Sequence, residues 1–201
     1  EDTGYASYRG MVWERWPMAG MPPTYTSYDD YAAGAKLLVD TGTSADAGQV
    51  FWDVRPGTRY QTLEFRIADS CPTVDETVIQ AGLARALVQT CLSEISRGSA
   101  AREARPELLR AAKWRAARFG LVASLLDPVC AEVLPAHALV ERMLEYLRPA
   151  LQLAGDWDEL TCLLDRTRRD GSSAERQRRA HAEAGRLEDV VDLLAKETAS
   201  L

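Results

Sequence analysis

A predicted pair of strands, residues 51–55 and 62–69, most constrains what this chain of 201 residues can fold into. Both segments alternate between apolar and polar side chains, which is the period-two pattern of a strand. Pro56 and Gly57 stand between them and mark a short loop. Because an isolated pair of strands is only marginally stable in water, it needs further structure around it. We expect helices of this chain to cover its apolar face, and another segment to supply the missing strands or cover its polar face.

The second strand divides its side chains between an apolar and a charged face. Leu63, Phe65 and Ile67 share the first face, whereas Glu64 and Arg66 share the second. If the polar faces of both strands coincide, one side of the sheet carries Asp53, Arg55, Glu64 and Arg66. Such a face is either solvated, with ion pairs worth roughly 0–1 kcal/mol, or it binds a metal and a phosphate through Glu and Arg. The pattern alone favours the solvated face.

The chain after the strands is predicted to be almost entirely helical. Thr73 and Glu76 have the spacing of a capping box, and Gly98 ends the helix that they open. The apolar stripe of this helix is predicted at every fourth position: Ile79, Leu83, Leu87, Cys91 and Ile95.

Caps and breakers mark the helices that follow. Pro106 and Gly120 bound one helix, and Pro135 begins another that Pro149 should kink or end. Capping-box spacing recurs at Asp156 with Glu159 and at Ser172 with Glu175. The predicted fold class is therefore α+β: residues 1–72 hold an aromatic-rich segment and the strand pair, and residues 73–201 form a mostly helical bundle. Short helices are also predicted at residues 5–16 and 29–39.

The charge balance limits the classes of partner. The formal net charge of −6 disfavours a general nucleic-acid binder, which needs a basic surface. Arginines nevertheless cluster at residues 102–118 and 166–186, so a non-catalytic helical module for an acidic partner or nucleic acid stays an alternative. The run from 166 to 179 is interpreted as a solvated helix face. No apolar run approaches the roughly 18 residues of a membrane helix, so no membrane partner is expected.

The cysteines indicate neither a zinc site nor a disulfide framework. They are far apart in the sequence and form no C-x-x-C pair: Cys71, Cys91, Cys130 and Cys162. We expect reduced, mostly buried thiols in a cytoplasmic protein.

Linked motifs run through the whole chain. The strand pair carries WDVRP at residues 52–56, TLEFRIAD at 62–69 and CPTVD at 71–75, and further motifs lie at 2–9, 13–20, 113–121, 126–128 and 171–178. In this order they resemble the type 2 glutamate–cysteine ligase family, also called the carboxylate–amine ligases. The resemblance covers essentially all of the chain, but only about the second half of the family's domain. Residues 1–201 are therefore interpreted as the C-terminal portion of one catalytic domain.

The resemblance implies a fold and an activity. Its members are similar in fold to glutamine synthetase, with a curved, largely antiparallel sheet that forms a funnel and helices outside it. They use ATP and Mg²⁺ to phosphorylate the side-chain carboxylate of glutamate or a similar acid, and an amine then attacks the acyl phosphate. Under this interpretation Glu64 is a magnesium ligand, Arg66 is a catalytic residue that contacts ATP, and Arg55 is a catalytic and substrate-binding anion contact.

Weaker assignments fall outside the strands. Tyr5 and Arg9 are interpreted as contacts for the amine substrate, with aromatic packing and a surface charge as the alternatives. Arg118 is assigned to cofactor binding, with structural support of the site as the alternative. Trp114 lies one helical turn before it and is expected to stack on its guanidinium group.

The N-terminal half of the family's domain, which supplies further metal ligands and strands, has no counterpart in this sequence. We therefore expect that half, in the same or a separate chain, to be a partner beside amino-acid substrates, and the isolated chain to be inactive. A family member that keeps the scaffold without ligase chemistry stays an alternative. A homo-oligomer also stays open, and the sequence does not identify the acid and the amine.

Overall fold

The computed structural model describes residues 2–200, apart from the side chain of Ala184. Two compact units make up the chain. The strand unit is Arg9–Asp69, and the helical unit combines the residues up to Tyr8 with those from Ser70 onward. The predicted α+β class is confirmed, because helices alternate with two antiparallel strand pairs in the described part of the chain.

The strand unit contains short elements. Helices α1 (Tyr8–Trp13) and α2 (Tyr28–Asp40) precede a 3₁₀ turn at Ala47–Gln49, and strands β1 (Val54–Pro56) and β2 (Leu63–Phe65) follow. The strands are antiparallel and shorter than predicted. The pairing nevertheless extends beyond β2, since the Arg66 N–H donates to the Asp53 carbonyl oxygen over 2.7 Å.

The apolar face of β2 is not buried within the strand unit. Leu63, Phe65 and Ile67 are all exposed, and the expectation that helices cover them stays a prediction. The strand unit buries aromatic rings instead. Trp52 packs against the rings of Tyr25 and Tyr31, each with centroids 5.6 Å away. Large rings bury more apolar surface than strands of three residues can.

The helical unit carries a helical core and a second hairpin. Its elements are α3 (Val74–Ser96), α4 (Pro106–Phe119), β3 (Ser124–Asp127), β4 (Glu132–Pro135), α5 (Ala136–Ala154), α6 (Trp157–Asp170), α7 (Ser173–Ala184) and α8 (Leu187–Ala199). Leu147 and Leu151 of α5, Leu160 of α6 and Ile79 of α3 form the centre of the core. The β3–β4 hairpin was not predicted. No described helix combines the length and apolar character that a membrane crossing requires.

Helix α3 buries a different face from the predicted stripe. Its buried residues are Ile79, Gly82, Ala86 and Thr90, whereas Leu87, Cys91 and Ile95 are exposed. Every fourth residue of an α-helix advances by about 400°, so a strict i, i+4 stripe rotates by about 40° at each step and leaves the core. The packed face follows mixed steps of three and four residues and consists largely of small side chains.

Two predicted helix ends differ in detail. Helix α5 continues past Pro149 to Ala154. The capping box of Ser172 and Glu175 is confirmed, whereas Asp156 is the N-cap residue of α6 but its side chain forms no capping hydrogen bond and pairs with Arg85 instead. All four cysteines are free, as expected, but three of them are exposed rather than buried.

Candidate functional site

The predicted charged face forms on the β1–β2 pair. The antiparallel register places Arg55 opposite Glu64, and Arg66 follows on the same face. The Arg55 Nη2 lies 2.8 Å from the Glu64 Oε2, and the Arg66 Nη1 lies 2.7 Å from the Glu64 Oε1. The prediction that these side chains come together is confirmed. We call these three residues the Arg–Glu–Arg cluster.

The cluster is unequally buried. The side chain of Arg55 is 7 % exposed and that of Arg66 is 18 % exposed, whereas that of Glu64 is 44 % exposed. The Arg55 Nη1 also donates to the Ala47 carbonyl oxygen over 3.0 Å. Each Nε of the two arginines is buried and has no hydrogen-bond partner among the described residues. Two guanidinium groups thus share one carboxylate, and each keeps further N–H donors with which it could bind an anion.

Glu64 fits the part of a single protein ligand to Mg²⁺. Each of its oxygens accepts one arginine N–H and keeps a lone pair for a cation. Mg²⁺ commonly uses one or two carboxylates together with phosphate oxygens and water. Within residues 2–200, no group of three or more His, Cys, Asp and Glu side chains is placed to hold a metal ion. A complete coordination sphere at Glu64 therefore needs oxygen ligands from outside the described chain.

Aromatic rings surround the Arg66 side chain. Its guanidinium carbon lies 5.4 Å from the Phe51 ring centroid and 5.8 Å from that of Trp13. Arg9 lies 5.1 Å from the Trp13 centroid, and its Nη1 donates to the Arg66 carbonyl oxygen over 2.7 Å. Arg9 is thus brought close to the cluster. No role was predicted for Trp13 or Phe51, although the alternation of residues 51–55 predicts Phe51 on the same face as Arg55.

Tyr5 and Arg118 contact each other in the helical unit. The Arg118 guanidinium carbon lies 5.1 Å from the Tyr5 ring centroid. It also lies against Gly4, where a Cβ atom would approach the Arg118 Nη1 to 2.7 Å and where φ is +74°. The positive φ favours glycine at this position, and any larger residue would displace the Arg118 guanidinium group. The expected stacking on Trp114 is wrong, since Trp114 packs edge-on against Phe119 and Tyr5 provides the ring for Arg118.

Arg178 fixes the start of the helical unit. Its Nε and Nη2 donate to the two carboxylate oxygens of Asp2 over 2.9 and 3.1 Å, and its Nη2 also donates to the Tyr5 carbonyl oxygen over 2.8 Å. Arg176 is half-buried between Glu76 and Glu197. The interpretation of residues 166–179 as a solvated face is therefore wrong for these two arginines.

The Asp2–Arg178 pair predicts a pH dependence. The hydrogen bonds from Arg178 and from the Gly4 N–H lower the pKa of Asp2 from 3.8 to about 2. Because the folded-state pKa is below the unfolded one, the pair stabilises the fold fully above about pH 4 and loses this effect as the pH falls towards 2. We expect Asp2→Asn to lower the urea midpoint at neutral pH but not near pH 2.

Urea titrations of both proteins along this pH range measure the difference. Arg178→Gln is the matched variant, because it removes the other half of the pair and should show the same convergence at low pH. Equal midpoints of the wild type and Asp2→Asn at neutral pH would contradict a stabilising pair.

One strand pair of this α+β fold thus brings together two guanidinium groups and a carboxylate, the side chains that bind anions and cations. Comparison with known proteins identifies the family of this chain. Residues 1–193 match the glutamate-cysteine ligase family 2. The chain belongs to this family.

Relatives support the assignment over the whole chain. A Frankia alni protein named "Putative glutamate--cysteine ligase 2-2" is 46% identical over 100% of this chain, which corresponds to 52% of the relative. A Mycolicibacterium smegmatis protein of the same name is 44% identical over 100% of this chain and 50% of its own length. A longer Frankia alni relative, the 2-3 protein, is 46% identical, with 23% of its length covered. The chain thus spans about half, or less, of these relatives.

Proposed function

We propose that this chain is the C-terminal half of an ATP- and Mg²⁺-dependent carboxylate–amine ligase of the glutamate–cysteine type. The Arg–Glu–Arg cluster is the observation that carries this proposal. A ligase of this kind must hold a metal-bound phosphate beside a substrate carboxylate, and the cluster combines one metal-binding oxygen donor with two anion-binding forks. Family membership supports the same class of reaction.

Each residue of the cluster has a proposed task. Glu64 provides one protein oxygen to Mg²⁺. Arg66 contacts the phosphoryl group that is transferred, and Arg55 contacts an anionic oxygen of the substrate and keeps Glu64 in place through their ion pair. Bound MgATP supplies the phosphoryl group that activates the substrate carboxylate, so that an amine can displace phosphate and form the amide. Positive charge fixed before the reaction stabilises the charge that develops during transfer.

The remaining assignments are proposals of the same kind. Tyr5 and Arg9 contact the amine substrate, and Arg118 contacts ATP. Arg118 suits an anion because the Tyr5 ring and the Gly4 backbone orient its guanidinium group. Arg9 keeps donor atoms beyond the Nη1 that binds the Arg66 carbonyl oxygen.

The proposed partner is an N-terminal half like that of the relatives. The relative that matches over 52% of its length has nearly as many residues again beyond the match. Leu63, Phe65 and Ile67 offer this half an exposed apolar strand face, and Glu64 needs further oxygen ligands. We call this chain together with such a half, as one polypeptide or two, the complete ligase. The amino-acid substrates bind to it, and the chain alone is inactive.

Reconstitution tests the proposal. The chain alone, the N-terminal half alone and the complete ligase are assayed for Mg²⁺-dependent ADP release with glutamate and cysteine, and then with other acids and amines. We expect release only from the complete ligase and only with both an acid and an amine present. ADP release by the chain alone would overturn the proposal that it holds only half of the active site. A complete ligase that releases no ADP with any pair of acid and amine would overturn the ligase assignment.

A further inference from the structure

Trp13 and Phe51 form an aromatic corner around Arg66. The two rings meet edge to face, with centroids 5.1 Å apart and an interplanar angle of 68°. The Arg66 guanidinium group lies within 6 Å of both centroids, the range in which a cation is attracted to a ring face. The corner thus limits the directions in which this long side chain can point.

The polar bonds of Arg66 alone would leave it mobile. Its Nη1 pairs with Glu64, but its buried Nε has no hydrogen-bond partner among the described residues. Glu64 is itself half-exposed. One ion pair to such a carboxylate fixes a guanidinium group poorly, because long charged side chains lose considerable entropy on ordering. The two rings therefore add a restraint that the ion pair alone does not provide.

The indole N–H of Trp13 does not explain why this residue is a tryptophan. Its Nε1 is buried and donates to no described acceptor. The N–H group thus forms no described bond that would favour tryptophan over phenylalanine at this position. The face of the ring makes the useful contacts, since it carries both Arg66 and Arg9.

We propose that Trp13 and Phe51 are positioning residues that orient Arg66 towards Glu64 and towards the anionic group bound there. Arg9 completes the arrangement, because it stacks on Trp13 and holds the Arg66 backbone through the carbonyl oxygen. This inference rests on the proposed function for the identity of the anion. The orientation of Arg66 does not depend on that identity and can be measured without turnover.

The experiment compares three variants of the complete ligase with the wild type. Trp13→Leu removes the ring, Trp13→Phe keeps a ring and removes the unpaired N–H, and Trp16→Leu is the matched control. Trp16 also contacts the Phe51 ring, with centroids 6.1 Å apart, but the ring contacts described for the Arg66 guanidinium group are with Trp13 and Phe51. The first readout is the Nε–Hε signal of Arg66 in protein labelled with ¹⁵N-arginine, identified by its loss in Arg66→Lys.

We expect aromatic rings to shift the wild-type Arg66 signal upfield. Trp13→Leu should move it towards the position of a free arginine, whereas Trp16→Leu should leave it in place. Titration with inorganic phosphate is the second readout. Trp13→Leu should weaken phosphate binding at Arg66 about 10-fold, and Trp13→Phe should restore it to within about 3-fold of the wild type. In turnover, kcat should fall about 10- to 100-fold, with the KM of the amino acids unchanged.

Different outcomes identify which claim fails. An Arg66 signal that does not move in Trp13→Leu, or that moves equally in Trp16→Leu, overturns the positioning role. If Trp13→Leu does not fold, Phe51→Leu tests the other wall of the corner by the same signal. If the Arg66 signal responds as expected but the complete ligase releases no ADP, the positioning role of Trp13 and Phe51 is retained and only the ligase assignment is overturned.

Discussion

Glu64→Gln in the complete ligase is expected to lower Mg²⁺-dependent ADP release by about 10²- to 10³-fold. Glutamine keeps the volume of the side chain, and its amide oxygen can still accept a hydrogen bond from Arg55 or Arg66. It removes the negative charge that binds Mg²⁺ and that balances two guanidinium groups. The measurement is initial ADP release as a function of Mg²⁺ concentration, where a lost ligand also raises the Mg²⁺ concentration needed for half-maximal rate.

Glu132→Gln is the control for a general effect of losing a paired glutamate. Glu132 lies on β4, and its Oε2 is 2.9 Å from the Nη2 of Arg142 on α5. Its side chain is half-exposed, like that of Glu64. This variant should keep the wild-type rate, and both variants should unfold within a few degrees of the wild type. A Glu64→Gln enzyme that keeps a third or more of the wild-type rate would contradict a metal-binding role for this residue.

The largest expected effect on stability is that of Leu160→Ala. Leu160 of α6 is 1 % exposed and lies in the core formed with α3 and α5. Truncation of a fully buried leucine typically costs about 2–5 kcal/mol, from lost burial and from the cavity left behind. Urea unfolding of the complete ligase, or of the chain where it folds alone, measures the change. Leu153→Ala on α5 is the control, because that side chain is 79 % exposed and should change the free energy of unfolding by less than about 0.5 kcal/mol.

Gly82 makes this prediction sharper. A Cβ atom on Gly82 would approach the Leu160 Cδ1 and Cδ2 to 2.6 and 2.9 Å, so Gly82→Ala alone should destabilise the core through overpacking, by about 1–3 kcal/mol. In the double variant the new methyl group occupies space that Leu160→Ala vacates. Its free energy of unfolding should therefore be higher than the sum of the single effects predicts. Strict additivity would mean that Gly82 and Leu160 do not compete for the same volume.

The sequence allowed the Arg–Glu–Arg cluster to be predicted, because its geometry is local. Strand periodicity fixes the face of each side chain, and the loop of residues 57–62 between the two strands brings Arg55 opposite Glu64. Trp13 could not be found in this way. It precedes Arg66 by more than 50 positions, and no pattern within α1 indicates which ring will meet which guanidinium group.

The packing of the helices was predicted less well than their positions. The predicted bounds of α4 and the predicted start of α7 are correct, because Pro106 and Ser172 act on neighbouring backbone groups. The buried face of α3 was missed because Gly82 and Ala86 make room for Leu160 and its neighbours, whereas a search for large apolar residues selects side chains that remain in water. How well two helices fit together depends on the side-chain volumes of both, so the sequence of one helix does not reveal which of its faces is packed.

The β3–β4 hairpin shows a third kind of limit. Each strand has four residues, too few for a period to stand out. The turn is instead stabilised by Asp127, whose Oδ1 accepts the N–H groups of Val129 and Cys130 over 2.9 and 3.1 Å. Asp127 followed by Pro128 is a turn signal. It indicates a turn between two short strands in residues 121–134, the segment between the predicted helices.

The bond between Asp2 and Arg178 has a consequence for the order of events during synthesis. The two residues are 176 positions apart, and the ribosome adds about 5–20 residues per second. The Asp2–Tyr5 segment therefore waits about 9–35 seconds before its partner on α7 is made. The strand unit, Arg9–Asp69, is complete in sequence long before that time, so we expect it to fold while the segment ahead of it is still undocked. Nascent chains arrested before residue 178 should accordingly protect the strand unit from protease and leave the Asp2–Tyr5 segment open to cleavage.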